Sequence, residues 1–113
     1  MRGREGYVPL RRGILDHLPR LKGSAITVYI ALIGLADFHK GHEGEVRGYS
    51  IMDLCRVTGL SRPVVGKVLY ELAEPVYPER GDEGYILYEP GVNEHKPMFV
   101  KVCKYPRSDE FRA

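Results

Sequence analysis

A chain of 113 residues with 43% hydrophobic and 28% charged side chains has the profile of one globular domain, long enough to bury a core without metal or disulfide staples. Two cysteines, Cys55 and Cys103, are too few for a disulfide framework, and no charged, then apolar, then small-residue start points to secretion, so the expected location is the cytoplasm. The formal net charge of +2 is far from the basicity that identifies a nucleic-acid binder unaided, but its distribution is uneven. In residues 1–22, Arg2, Arg4, Arg11, Arg12, Arg20 and Lys22 stand against Glu5 and Asp16, whereas in residues 74–94 six acids stand against Arg80 alone. A phosphate would be drawn to the first segment and repelled by the second.

In chain order, residues 1–12 combine Gly3, Gly6, Pro9 and basic charge without periodicity, the mark of a flexible basic arm. Leu10, Ile14, Leu15, Leu18 and Leu21 fall close to helical spacing, with Pro19 ending that short helix near His17 or Leu18. Ser24 is the expected N-cap of a central helix over residues 25–38. Its apolar run, broken only by Thr27 and Gly34 through residue 36, is shorter than the roughly 18 residues of a membrane span. Such a helix is either the buried centre of the domain or, on one face, the seam of a homodimer. Residues 39–48 are glycine-rich and read as a surface loop, with a short edge strand at 45–49.

Ser50 then caps a helix over residues 51–57 with Asp53 near its positive end, Gly59 terminates it, and Ser61 caps another running to Leu72. Pro75 and Pro78 forbid its continuation. Residues 84–89 and 98–105, rich in Tyr, Ile, Val and Phe, read as a β-hairpin around a long loop at 90–97, followed by a frayed tail at 106–113.

Two short helices joined by one glycine-containing turn need apolar groups facing inward on both, a small side chain where they cross, and a residue tolerant of positive φ. Leu54, Leu60, Val65 and Val68 supply the first, Cys55 the second and Gly59 the third. The outward side of the second helix would then present Arg62 in its first turn, Gly66 and Lys67 one turn later, and Tyr70 beyond.

This stretch resembles the helix-turn-helix of winged-helix DNA-binding proteins. The order of elements from residue 25 through the hairpin, about 80 residues, is similar to that family's layout. The segments GSAITVYIAL at 23–32, SIMDL at 50–54 and TGLSR at 58–62 look most like the winged-helix domains of phage, plasmid and primosomal (DnaD-type) replication proteins. After Leu72, AEPVYP replaces that family's usual glycine followed by two aliphatic residues. The resemblance implies an α+β winged helix-turn-helix domain, a three-helix core with a β-hairpin wing, that binds double-stranded DNA without catalysis in replication or transcription control.

On that reading Ser61, Arg62, Gly66, Lys67 and Lys96 are the candidate DNA contacts. Ser61 serves the cap and a phosphate, Arg62 a guanine edge, and Lys67 a phosphate or base. Gly66 admits close approach, and Lys96 at the tip of the hairpin loop reaches a phosphate or the minor groove. Arg62 and Lys67 also fit the solvated side of an ordinary helix, and Lys96 an ordinary loop. The weak net charge and the acidic segment 74–94 suit the alternative, a winged helix that serves as a protein-interaction or oligomerisation module.

No metal, cofactor or small-molecule substrate is expected. His17, His39, His42, His95 and the two cysteines lack the spacing of zinc ligands, and no phosphate-binding loop or nucleophile elbow is present in the sequence. The eight tyrosines read as packing residues ahead of stacking platforms for single strands.

Overall fold

The computed structural model describes residues 12–38, 41–76, 78–80 and 84–103. The arm expected at 1–12, Arg12 apart, and the tail at 106–113 lie outside them. A 3-10 helix at Arg12–Asp16 leads into α1 (Ser24–Leu35), β1 (Glu45–Val46), α2 (Ile51–Thr58), α3 (Arg62–Ala73), a 3-10 turn at Pro78–Arg80, β2 (Ile86–Glu89) and β3 (Phe99–Val102). The described residues thus form an α+β domain of three α-helices and a three-stranded antiparallel sheet in the order β1-β3-β2. In its register Val46 lies opposite Val100, and Ile86 and Tyr88 lie opposite Val102 and Val100. No helix among these residues is long and apolar enough to cross a membrane.

The core follows from the two structural periods. Along α1, Val28, Tyr29, Leu32 and Ile33 are buried while Thr27, Ile30 and Gly34 are exposed, the three-and-four spacing of one helix face. α2, with Ile51 and Leu54 buried, and α3, with Val65, Val68, Leu69 and Leu72 buried, pack on α1, and the sheet adds Val46, Ile86 and Val100 to the same core, β2 packing against α3. Cys55 of α2 is buried in the same cluster, and Leu60 is partly buried against it.

Several boundaries differ from the sequence expectation. The N-terminal helix is a short 3-10 segment. Ile14 and Leu21 are buried, but Leu15 and Leu18 face out, because a 3-10 helix turns every three residues and cannot align five apolar positions at α-helical spacing. Gly23, at φ 62, and not Ser24, is the N-cap of α1, and no side chain caps that end. α1 stops at Leu35 instead of Phe38. Asp37 donates its N–H to the Glu45 carbonyl at 2.8 Å and its own carbonyl accepts from Gly44 at 2.7 Å, so the chain exchanges its last helical turn for pairing beside β1. Gly44, at φ +83, makes this possible: a Cβ there would fall on the Val102 carbonyl oxygen. β1 is only two residues long because Gly48 at φ +85 turns the chain towards α2.

Beyond α3, the Tyr85 N–H donates to the Leu72 carbonyl at 2.8 Å. Tyr85 is therefore tied to the end of α3 just before the hairpin begins, and β2 starts at Ile86, two residues later than expected. His17, considered above as a metal ligand, is fully buried and shares a 2.7 Å hydrogen bond through Nδ1 with the Tyr85 hydroxyl. That bond pins the N-terminal 3-10 segment to the start of the hairpin.

Candidate nucleic-acid interface

The α2–turn–α3 unit is built from local chemistry. The Ser50 side chain accepts from the Asp53 N–H at 3.1 Å, and the Asp53 carboxylate accepts from the Ser50 N–H at 2.8 Å, a reciprocal capping box that satisfies two of the donors orphaned at a helix start. That backbone hydrogen bond from Ser50, with the Arg56 guanidinium alongside, holds the Asp53 carboxyl below the usual carboxylate range. Gly59 ends α2 at φ 76, donating its N–H to the Cys55 carbonyl at 2.8 Å, which is the left-handed turn expected from the sequence. Burial pushes the Cys55 thiol up, consistent with a packing residue.

α3 begins differently from expectation. Ser61 is its N-cap, but the hydroxyl makes no capping bond; Pro63 in the first turn has no N–H to satisfy, which removes one of the orphaned donors. With Val65, Val68, Leu69 and Leu72 inward, the exposed side consists of Arg62, Pro63, Lys67, Tyr70 and Glu71.

The structure brings two of the candidate contacts together in a way the sequence does not announce. Arg62 does not point freely outward. Its Nε–H donates to Glu94 Oε1 at 3.0 Å, with both side chains a little under half exposed. The space over Gly66, expected to admit DNA, is occupied by the Arg62 side chain: a Cβ at Gly66 would lie 2.6 Å from Arg62 Nη1. Gly66 is buried, and the hypothetical Cβ would lie 3.7 Å from Ile51 Cδ1, an ordinary contact, so α2 leaves room for a methyl group there.

Glu94 belongs to the hairpin loop, which is held in place at several points. Its carbonyl accepts from the Met52 N–H at 3.2 Å in the first turn of α2, and the Met98 N–H donates to the Tyr49 carbonyl at 2.9 Å. Within the loop, the His95 N–H donates to Asn93 Oδ1 at 2.8 Å. Tyr70 and Tyr88 form a second bridge from α3 to the hairpin, edge to face at 5.2 Å; burial, then Tyr70, pushes the Tyr88 hydroxyl up.

The remaining cations sort as follows. Lys67 is exposed and lies 3.8 Å from Glu71 one turn along α3. Arg56 of α2 pairs with Asp53. Lys96 is exposed at the loop tip, and among the described residues it has no carboxylate partner. Sequence reasoning missed Glu94 as a member of this site. Its only visible signal was an acid in the loop, 32 residues from Arg62.

Among the described residues no group of three His, Cys, Asp or Glu side chains could hold a metal; His42 lies 3.3 Å from Glu45 at the surface. A shallow open groove lies between β1 and the hairpin, lined by Val46, Arg47, Pro90, Val92, Met98 and Phe99 among others, and none of the five candidate contacts lines it. Comparison of the chain with protein-family models, with curated proteins and with solved structures finds no match.

Proposed function

We propose that this chain is a winged helix-turn-helix domain that binds double-stranded DNA without catalysis, with α3 as the recognition helix and the hairpin as the wing, in the control of replication or transcription. The observation that carries this reading is the disposition of α3. Four aliphatic side chains root it in the core, while Arg62, Lys67 and Tyr70 stand on its exposed side, with the loop bearing Lys96 tied to the first turn of α2 and, through Glu94, to Arg62. The order of helices and strands agrees with the resemblance drawn from the sequence.

The ion pairs on this surface do not oppose the reading. Exposed pairs such as Arg62–Glu94 and Lys67–Glu71 are worth about 0–1 kcal/mol each, so Lys67 can exchange its carboxylate for phosphate at little cost, and Arg62 has N–H groups beyond the one on Glu94. Counterion release from the phosphates supplies most of the non-specific affinity. Ser61, at the positive end of α3, adds a hydroxyl suited to a phosphate. A homodimer through the exposed side of α1 would place two α3 helices on half-sites about one helical turn apart.

The test is fluorescence anisotropy of a random duplex titrated at several salt concentrations. Phosphate contacts from Lys67 and Lys96 correspond to a log–log slope of about −2, steeper if the basic N-terminal residues join them. Absence of binding at low salt, both to random DNA and to a library enriched for the protein, would favour the second reading, a protein-interaction or oligomerisation module. The observation behind that alternative is that Arg56, Arg62 and Lys67 of the motif all stand against carboxylates.

A further inference from the structure

We infer that Glu94 is a positioning residue for base readout: its carboxylate holds the Arg62 guanidinium in one pose across α3, so that preference for a guanine depends on Glu94 although Arg62 makes the contact. This rests on the DNA-binding reading given above. Three independent features build the pose. The Nε–H of Arg62 donates to Glu94 Oε1 at 3.0 Å. Gly66 clears the path, since a Cβ there would lie 2.6 Å from Nη1. The loop carrying Glu94 is tied to the first turn of α2 by the Met52 N–H on the Glu94 carbonyl at 3.2 Å, so the anion belongs to the same framework as the helix it serves.

The chemistry fits readout. A guanidinium has five N–H donors, and guanine offers two acceptors, O6 and N7, that take a matched pair of them. Glu94 uses the Nε–H, and among the described residues no hydrogen bond engages the two Nη groups, leaving them for the base edge. An unrestrained arginine can swing to a neighbouring phosphate or to the acceptor of another base. One held by a carboxylate and laid over a glycine has already given up that freedom, and contacts held by a supporting shell discriminate better than mobile ones. The negative charge of Glu94 also repels phosphate, which weakens non-specific binding and widens the difference between right and wrong sites.

The experiment uses the full chain, a duplex enriched by the wild-type protein from a randomised library, the same duplex with each base pair substituted in turn, and a shuffled duplex. We expect wild type to prefer guanine at one position by about 5- to 150-fold, the range of a bidentate pair. Glu94→Ala should lower that preference about two- to fivefold, the reach of an exposed ion pair, while tightening binding to the shuffled duplex. Glu94→Gln, which keeps an acceptor oxygen but loses the charge, should retain most of the preference. In an Arg62→Ala background, Glu94→Ala should change the preference no further, a coupling that a merely structural role would not produce.

Gly66→Ala keeps both charged side chains but evicts the guanidinium, so if Glu94→Ala is poorly folded it carries the same expected loss of preference, without the tighter binding to the shuffled duplex. Equal preference in wild type and Glu94→Ala, or an equal effect of Glu94→Ala with and without Arg62, would overturn the assignment while leaving DNA binding in place. Failure of wild type to bind any duplex at low salt would overturn both.

Discussion

Replacing Gly66 by alanine should leave the fold as stable as before or more so, although Gly66 is buried at a helix crossing. Alanine in a helix interior is favoured over glycine by about 0.8–1.0 kcal/mol. The new Cβ would stand 3.7 Å from Ile51 Cδ1, an ordinary contact, but 2.6 Å from Arg62 Nη1, the far end of a side chain that can swing into solvent. The cost is then the exposed Arg62–Glu94 pair, about 0–1 kcal/mol, and the balance lies between about 0 and +1 kcal/mol. Urea unfolding should show an unchanged or higher midpoint, and thermal melting a gain of up to about 8 °C. In a Glu94→Ala background, where no pair remains to be lost, Gly66→Ala should give the full propensity gain. Gly44→Ala is the contrast. There φ is +83, and the Cβ would meet the Val102 carbonyl, which is backbone in a sheet and cannot swing away; a loss of at least about 2 kcal/mol is expected. If Gly66→Ala cost more than about 1 kcal/mol, the glycine would be demanded by the α2–α3 crossing and the account of the Arg62 pose would fail.

Ser50→Ala removes half of the capping box and should cost about 1 kcal/mol, within a range of about 0.5–2, in chemical denaturation. Because the Asp53 carboxyl is held below its usual 3.8, its ionised form stabilises the fold fully above that value and the contribution is lost as pH falls through the lower folded value; an acid titration of stability should therefore be flatter for Asp53→Asn than for wild type between those two values. Burial raises the Cys55 thiol, so iodoacetamide should label the partly exposed Cys103 first in the native protein and both cysteines in urea, read by mass spectrometry; prompt native labelling of Cys55 would contradict its burial in the core. Deleting residues 1–11, which precede the first described core residue Ile14, should keep cooperative melting and reduce the magnitude of the DNA-binding salt slope by up to about 3 as Arg2, Arg4 and Arg11 are lost.

What the amino-acid order determined by itself is the set of features whose physics acts within one or two helical turns. Ser50 and Asp53 are three residues apart and cap α2 reciprocally; Gly59 takes the left-handed conformation open to it at the turn; Val65, Val68 and Leu72 fall on one side of α3 by the helical period alone. The tertiary structure decided the rest, where a local preference met a distant partner. Residues 36–38, expected to finish α1, leave the helix because Asp37 pairs with Glu45 beside the sheet. Arg62 reads in sequence as a free cation on an exposed helix side, and becomes one half of an ion pair only because the loop 32 residues later folds back onto the first turn of α2. Gly66, readable as an opening for a ligand, is filled by that same arginine. Periodicity and capping are short-range and leave their mark in neighbouring letters, whereas the partner of a surface charge is chosen by which segments pack side by side, and no spacing along the chain encodes it.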